Sequence, residues 1–110
     1  MCHGSPQKVK GKLLPGSEMN RELISGVEEK YIFCGHTHRY CEFSEGDKHI
    51  INPGAVGNPL DDGKHDCTSF IILHSKGREW KTEHIYLKQN VDAIVKNMMK
   101  HNLQGIAPYW

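Results

Sequence analysis

The sequence has no long apolar run, no excess of charge of one sign and no paired cysteine motif. No stretch approaches the roughly 20 apolar residues of a membrane span, and the first residues lack the apolar core of a signal peptide. We therefore expect neither a membrane protein nor a secreted one. The 14 Lys plus Arg against 13 Asp plus Glu give a formal net charge of +1, which is no strong signal for a nucleic-acid partner.

The cysteines predict free thiols rather than a disulfide framework. None of them forms a Cys-x-x-Cys pair, and two lie in or beside apolar runs typical of buried strands. Free thiols persist in a reducing compartment, so a cytoplasmic protein is predicted. The four residues are Cys2, Cys34, Cys41 and Cys67.

Histidine is the residue type that the sequence holds in excess. Eight histidines occur in 110 residues, while the other charged types are near their average frequency. The histidines therefore do not belong to a general polar excess. Some of them are predicted to bind metal or to transfer protons.

The first half of the chain predicts a helix followed by a strand, which is half of an α/β unit. Apolar residues at helical spacing indicate an amphipathic helix from Ser17, its predicted N-cap, to about Glu29, although Ser25-Gly26 could end it early. The unbroken apolar run at residues 31–34 predicts a strand that is buried on both faces, as in a parallel sheet.

A hairpin and a rigid loop are predicted next. Strands at residues 40–43 and 49–51 flank Glu45-Gly46-Asp47, a turn signal of the hairpin type. The segment at residues 52–59 then contains two prolines and two glycines. Such a segment is predicted to be a loop that fixes a backbone path rather than a regular strand or helix.

The second half predicts two more strands and a helix. A charged loop with Asp61, Asp62 and Asp66 is predicted to be solvated. Antiparallel strands at residues 68–74 and 80–87 follow, joined by a turn at residues 75–77. Asn90 is the predicted cap of a final helix whose apolar stripe ends before Gly105 and Pro108.

The stretch after the first strand, Gly35-His36-Thr37-His38, carries the chemistry. Neutral imidazoles are ligands for zinc, manganese, iron or nickel, and His36 and His38 would share one side of an extended backbone. A second His-Gly turn at His3 could complete a cluster of three histidines. One alternative is a surface turn that contains histidines by chance. Another is a structural zinc site built from Cys34, His36, His38 and Cys41, although Cys34 is expected to point into the core.

Three blocks of the sequence, taken in order, resemble the carboxyl-terminal half of a calcineurin-like metallophosphoesterase, most closely the small bacterial and archaeal phosphodiesterase branch. The resemblance implies a sandwich of two mixed β-sheets flanked by helices. It also implies a hydrolase with two divalent metal ions (manganese, iron, nickel or zinc) that hydrolyses phosphodiesters or phosphomonoesters with metal-activated water. The blocks are His3-Gly4-Ser5-Pro6, Gly35-His36-Thr37-His38 and Asn52-Pro53-Gly54-Ala55-Val56-Gly57-Asn58-Pro59.

The same resemblance assigns roles to individual residues. It implies that His3 and His36 bind one metal ion and that His38 binds the other. Residues that would support the site loops are Gly4, Gly35, Asn52, Pro53 and Gly54. No catalytic residue is assigned within this half.

The carboxylate blocks of the family's first half are not found here. Residues 1–110 are therefore expected to be the carboxyl-terminal portion of a single domain whose amino-terminal half is absent. We expect such a chain to be inactive alone and to self-associate or to pair with the missing half. A non-catalytic scaffold or binding subunit of the same fold is the alternative.

Overall fold

The structure, a computed structural model, describes residues 1–103. Within this range the strands and helices together form a mixed α/β fold, which confirms the predicted fold class. The elements in chain order are α1 (Asn20–Leu23), β1 (Tyr31–Phe33), β2 (Tyr40–Glu45), β3 (Lys48–Pro53), β4 (Cys67–Lys76), β5 (Glu79–Lys88) and α2 (Val91–Lys100).

The strands form two small sheets. The first has the order β1-β3-β2, in which β1 runs parallel and β2 antiparallel to β3. The second consists of β4 and β5, paired antiparallel from end to end. Both predicted antiparallel pairs are confirmed. Their strands are longer than predicted, since a regular ladder continues up to each two-residue turn.

The central strand β3 carries the core of the first sheet. Ile50 and Ile51 are adjacent and fully buried, so both faces of β3 are covered. The predicted strand at residues 31–34 is confirmed as β1, which pairs in parallel with β3, but its predicted burial on both faces is wrong. β1 lies at the edge of the sheet, and Ile32 is its buried residue.

The predicted helix from Ser17 to about Glu29 is much shorter in the structure. α1 has four residues, and its N-cap is Met19 rather than Ser17. Asn20 is fully buried and bonds to the backbone of Leu14, accepting from its N–H at 3.2 Å and donating to its carbonyl at 2.7 Å. This side chain therefore closes the preceding loop, a local bond that competes with a longer helix.

α1 and the loop before it cover one face of the first sheet. Their apolar side chains pack into a single cluster with residues of β1 and β3. Burial of one such leucine or isoleucine contributes about 1.5–3 kcal/mol. The cluster consists of Leu13, Leu23, Ile24, Ile32, Cys34 and Ile50.

The second sheet contacts the first through side chains of β5. Thr82 Oγ1 donates to Glu42 Oε2 at 2.6 Å. The rings of Tyr40 and His84 stack with their centroids 3.5 Å apart. These contacts place β5 against β2, the strand that follows the turn with the candidate histidines.

α2 begins as predicted. The Asn90 side chain accepts a hydrogen bond from the Ala93 N–H at 3.0 Å, which confirms it as the N-cap. Gly105 and Pro108, which are predicted to follow this helix, lie outside the described residues.

Over residues 1–103, no helix combines the length and the apolar character that crossing a membrane requires. All four cysteines are free thiols.

Candidate metal centre

The residues around His3 pair with the end of β1. The Cys2 N–H donates to the Phe33 carbonyl at 2.9 Å, and the Gly35 N–H donates to the His3 carbonyl at 2.6 Å. These two backbone bonds hold His3 beside the turn that follows β1. Two of the three predicted metal ligands, His3 and His36, therefore meet at one edge of the sheet.

The facing nitrogen atoms of His3 and His36 have the spacing of two ligands of one ion. His3 Nε2 and His36 Nδ1 lie 3.2 Å apart, and the ring centroids lie 5.1 Å apart. Two nitrogens bound to the same ion at about 2.1 Å, with roughly 100° between them, would lie about 3.2 Å from each other. The pair therefore fits a divalent ion, and the same distance also fits a hydrogen bond between two neutral imidazoles.

The turn after β1 is built by the histidines themselves. His36 and His38 have φ angles of +70° and +57°. A left-handed conformation of this kind costs a non-glycine residue about 1–2 kcal/mol. Gly35, which precedes them, is not among the residues with a positive φ. The two histidines are therefore not on an extended backbone, and the rule that places residues i and i+2 on one side does not apply to them.

His38 is oriented by a backbone carbonyl. Its Nδ1 lies 3.0 Å from the carbonyl oxygen of Asn58. Because a carbonyl can only accept, Nδ1 donates, and in a neutral imidazole the lone pair then lies on Nε2. Histidines that bind metals commonly donate their other ring N–H to such a group. The Leu60 N–H donates to the His38 carbonyl at 2.9 Å and holds the same two segments together.

Asn52 joins the end of β3 to the turn with the histidines. Its side chain is fully buried, and its Nδ2 donates to the Gly35 carbonyl and to Thr37 Oγ1, both at 2.9 Å. Its Oδ1 accepts from the Gly54 N–H at 3.0 Å. The Asn52 side chain therefore holds both the histidine turn and the loop after β3. Its effect on metal binding stays a prediction.

The predicted loop at residues 52–59 begins later than expected. Asn52 and Pro53 still belong to β3, where Pro53 pairs with Tyr40 at the end of the ladder. The Pro53 carbonyl accepts from Ser69 Oγ at 2.7 Å. Gly54 has a φ of +81°, and a Cβ there would lie 2.8 Å from the Ser69 Cβ, so only glycine fits this position.

Gly4, the residue after His3, allows a neighbouring loop to pack against its backbone. A Cβ at Gly4 would lie 2.6 Å from the Gly11 carbonyl oxygen. Ser5, which is buried, holds the start of this loop: its N–H donates to the Lys8 carbonyl at 3.0 Å, and its Oγ accepts from the Lys8 N–H at 3.1 Å. Residues 8–12 therefore pack against the two residues that follow the candidate ligand His3.

The surroundings of His36 favour its neutral form. Loss of hydration lowers the pKa of His36 first, and the positive charges of His3, Lys12, Lys10 and His38 lower it further. A neutral imidazole is the form that binds a metal ion, because the lone pair must be free. The electrostatics of the turn are therefore compatible with a ligand role at neutral pH.

The solvated loop predicted around Asp61 is wrong for Asp61 itself. Its Oδ1 accepts from the Tyr40 N–H at 2.9 Å, and its Oδ2 accepts from the Tyr86 hydroxyl at 3.0 Å. Burial, followed by this carboxylate, raises the pKa of Tyr86 to about 12. The neighbouring Asp62 side chain is 97% exposed, as predicted. No local signal distinguishes the two aspartates, because the partners of Asp61 come from distant strands.

His84 belongs to the same network as Tyr40 and Asp61, and the sequence did not predict its role. Its ring stacks on Tyr40, and its Nε2 lies 2.7 Å from Ser69 Oγ. Because Ser69 donates to the Pro53 carbonyl, it accepts from His84. Burial lowers the pKa of His84, while the charge of Asp61 acts in the opposite direction.

Residues 1–103 contain no group of three or more His, Cys, Asp or Glu side chains that could hold a metal ion. His38 is therefore not brought into one cluster with His3 and His36. The tetrahedral site of Cys34, His36, His38 and Cys41 is not formed either, which is a correction to that alternative. Burial first, and then the neighbouring cysteines, raise the pKa of Cys34 to about 12, so the thiolate that would bind zinc is disfavoured.

Residues 1–78, which contain all three sequence blocks described above, match the Calcineurin-like phosphoesterase superfamily domain. No curated protein matches the chain. Solved structures that match include a double mutant of Vps29 from Entamoeba histolytica, with 20% identity, a TM-score of 0.43 and coverage of 66% of this chain and 48% of that chain. The chain thus spans about half the length of that structure. The family match includes all three candidate histidines and the loop up to Pro59, and the chain belongs to the calcineurin-like phosphoesterase superfamily.

Proposed function

We propose that this chain supplies the histidine ligands of a dinuclear metal site in an enzyme that hydrolyses phosphodiesters or phosphomonoesters. The observation that carries the proposal is the 3.2 Å spacing of the His3 and His36 nitrogens. The orientation of His38 by the Asn58 carbonyl supports it, since that bond leaves Nε2 available. Membership of the phosphoesterase superfamily supports this class of reaction.

Each residue has a separate task in this proposal. His3 and His36 would hold one ion, and His38 would hold the other. Two bound ions would polarise the phosphoester and activate a water molecule for attack. Asn52 keeps the histidine turn and the loop after β3 in fixed positions through its three hydrogen bonds. Manganese, iron, nickel and zinc all accept imidazole ligands, so the donor set is compatible with each.

The charge of the site calls for carboxylates from another segment. Three neutral imidazoles offer no negative charge to offset two divalent ions. No Asp or Glu of residues 1–103 joins the histidines in a metal-binding group. We therefore propose that residues 1–110 are the carboxyl-terminal portion of one domain and that its amino-terminal half supplies the carboxylates. On this basis the chain alone has little or no phosphoesterase activity and binds metal weakly.

Calorimetric titration of the purified chain with Mn²⁺ and Zn²⁺ tests the ligand assignment. His36→Ala and His38→Ala are expected to weaken binding at least tenfold each, because each removes an imidazole donor. His101→Ala is the matched control, since His101 is exposed at the end of α2. Equal metal affinity in all four proteins would overturn the assignment.

Hydrolysis of bis(p-nitrophenyl) phosphate tests the proposed dependence on a second segment. We expect no metal-dependent turnover above background from the chain alone. Robust turnover that is lost in His36→Ala or His38→Ala would show that the chain needs no further carboxylates. That result would leave the metal assignment intact and overturn only the proposed incompleteness of the site.

A non-catalytic scaffold or binding subunit is the second candidate. It is favoured by the lack, over residues 1–103, of any group of three potential ligands. Over residues 1–103, β4 has β5 as its one strand partner in the second sheet. Open edges of this kind favour pairing with another chain or with the missing half. A scaffold would show no metal-dependent change in the titrations above, and a single monomeric species in sedimentation would count against pairing. A cytoplasmic location stays a prediction.

A further inference from the structure

The loop at residues 8–12 packs tightly against Gly4 and Ser5, the two residues that follow the candidate ligand His3. Gly4 makes room for the Gly11 backbone, and a Cβ at Gly11 would in turn lie 2.9 Å from the Ser5 Cβ. The Gly11 N–H donates to the Lys8 carbonyl at 2.8 Å, which closes the loop on itself. Lys10 and Lys12 flank Gly11, so their backbone positions beside His3-Gly4-Ser5 are fixed by packing.

The three lysines of this loop differ in their partners. Lys8 forms an ion pair with Glu22, with Nζ and Oε1 3.1 Å apart. Lys10 and Lys12 are exposed and form no ion pair with any residue of the 1–103 range. Two uncompensated ammonium groups therefore extend from a loop whose Gly11 backbone lies against Gly4, the residue after His3.

We propose that Lys10 and Lys12 form an anion-binding arm that recognises a second anionic group on the substrate, next to the phosphoester at His3 and His36. The inference rests on the proposed function, because the position of the scissile phosphate comes from it. A simple diester carries one negative charge, which two bound metal ions would already offset. Two additional cations suit a phosphoester with a further phosphate, such as a diphosphate ester. A nucleic-acid backbone is not favoured, because a net charge of +1 provides few further phosphate contacts.

The arm can be tested on the metal-free chain by amide NMR titration with inorganic pyrophosphate and, separately, with inorganic phosphate. Saturable shifts are expected in the loop and at His3 and His36, with pyrophosphate bound several-fold more tightly than phosphate. The double variant Lys10→Gln/Lys12→Gln should bind pyrophosphate about tenfold more weakly than the parent chain. In 0.5 M salt, most of this difference between the variant and the parent should disappear. Lys96→Gln/Lys100→Gln on α2 makes the same change of charge and should leave binding unaltered.

Three results would refute the proposed anion-binding arm. The first is an unchanged affinity of the Lys10→Gln/Lys12→Gln variant for pyrophosphate, and the second is an equal affinity of the chain for pyrophosphate and phosphate. The third is amide shifts at the lysines of α2 as large as those in the loop. Dispersed amide spectra of each variant establish that it is folded. Because this titration contains no metal, it fails or succeeds independently of the calorimetric test. If the chain binds Mn²⁺ normally but does not bind pyrophosphate through this loop, this inference alone is refuted. If it binds pyrophosphate through the loop but binds no metal, the proposed function alone is refuted.

Discussion

Replacing Asn52 by alanine should damage both the stability of the chain and the geometry of the histidine turn. The substitution removes three hydrogen bonds, to Gly35, Thr37 and Gly54, from a fully buried site. Each such bond contributes about 1 kcal/mol net, and groups left buried without a partner add to the loss. We therefore expect the free energy of unfolding to fall by about 3–4 kcal/mol. For a domain near this size, such a change lowers Tm by roughly 12–30 °C.

Urea unfolding followed by circular dichroism measures this loss. Asn97→Ala is the matched control, because Asn97 is exposed in α2 and alanine has a higher helix propensity there. The control should stay within about 0.5 kcal/mol of the parent. Affinity for Mn²⁺ should fall about 10–100-fold in Asn52→Ala, as for other residues that orient metal ligands.

Asn52→Asp separates hydrogen bonding from side-chain volume. The aspartate keeps an oxygen for the Gly54 N–H but places a second oxygen against the Gly35 carbonyl, where the amide donated. Burial of this carboxylate raises its pKa, so the native state is most stable when the group is protonated and loses stability as pH rises. We expect Asn52→Asp to be at least as unstable as Asn52→Ala at pH 7 and to recover on acidification. A loss below about 1 kcal/mol in both variants would refute the role given to Asn52.

Two further substitutions test the loop packing and the pH dependence. Gly4→Ala should destabilise the chain by about 2 kcal/mol or more, because the new Cβ would clash with backbone atoms. Gly35→Ala should cost less than about 1 kcal/mol, because the nearest atom to its Cβ lies 3.4 Å away. Urea unfolding compares the two variants, and equal losses of stability would contradict the packing described for Gly4. Since burial lowers the pKa of His84, stability should be fully present above about pH 6.5 and lost as pH falls. His84→Gln should reduce that loss and His65→Gln should not; His36, whose pKa is also lowered, accounts for a remaining slope.

Local signals predicted the turns and the cap well. The Glu45-Gly46-Asp47 turn and the Asn90 cap depend on residues adjacent in sequence, so the pattern alone determines them. The helix from Ser17 was predicted too long because Asn20 bonds to the Leu14 backbone, and residue spacing does not reveal such a contact. Burial of β3 rather than β1 depends on strand order, which is a tertiary property.

The candidate site was predicted in part. The family resemblance implied that His3 and His36 bind one ion, and the structure brings their nitrogens together. The left-handed backbone of the histidine turn was not foreseen, since a positive φ is uncommon for residues other than glycine. The carbonyl that orients His38 could not be predicted from residue type, because every residue has a carbonyl. The role of Asp61 depends on strands that are far away in sequence.

The loop between Asn52 and Asp61 is closed at both ends, and this has a consequence for the entropy of binding. Asn52 fastens its start to the histidine turn, while Asp61 fastens its end to Tyr40. Between them, the Asn58 carbonyl already holds His38 in one orientation. A ligand that binds there meets a side chain whose rotamer is selected in advance, so little conformational entropy remains to be lost on association. The ordering cost of the site is met during folding of the chain, and hydrogen exchange of this loop should report a single cooperative opening.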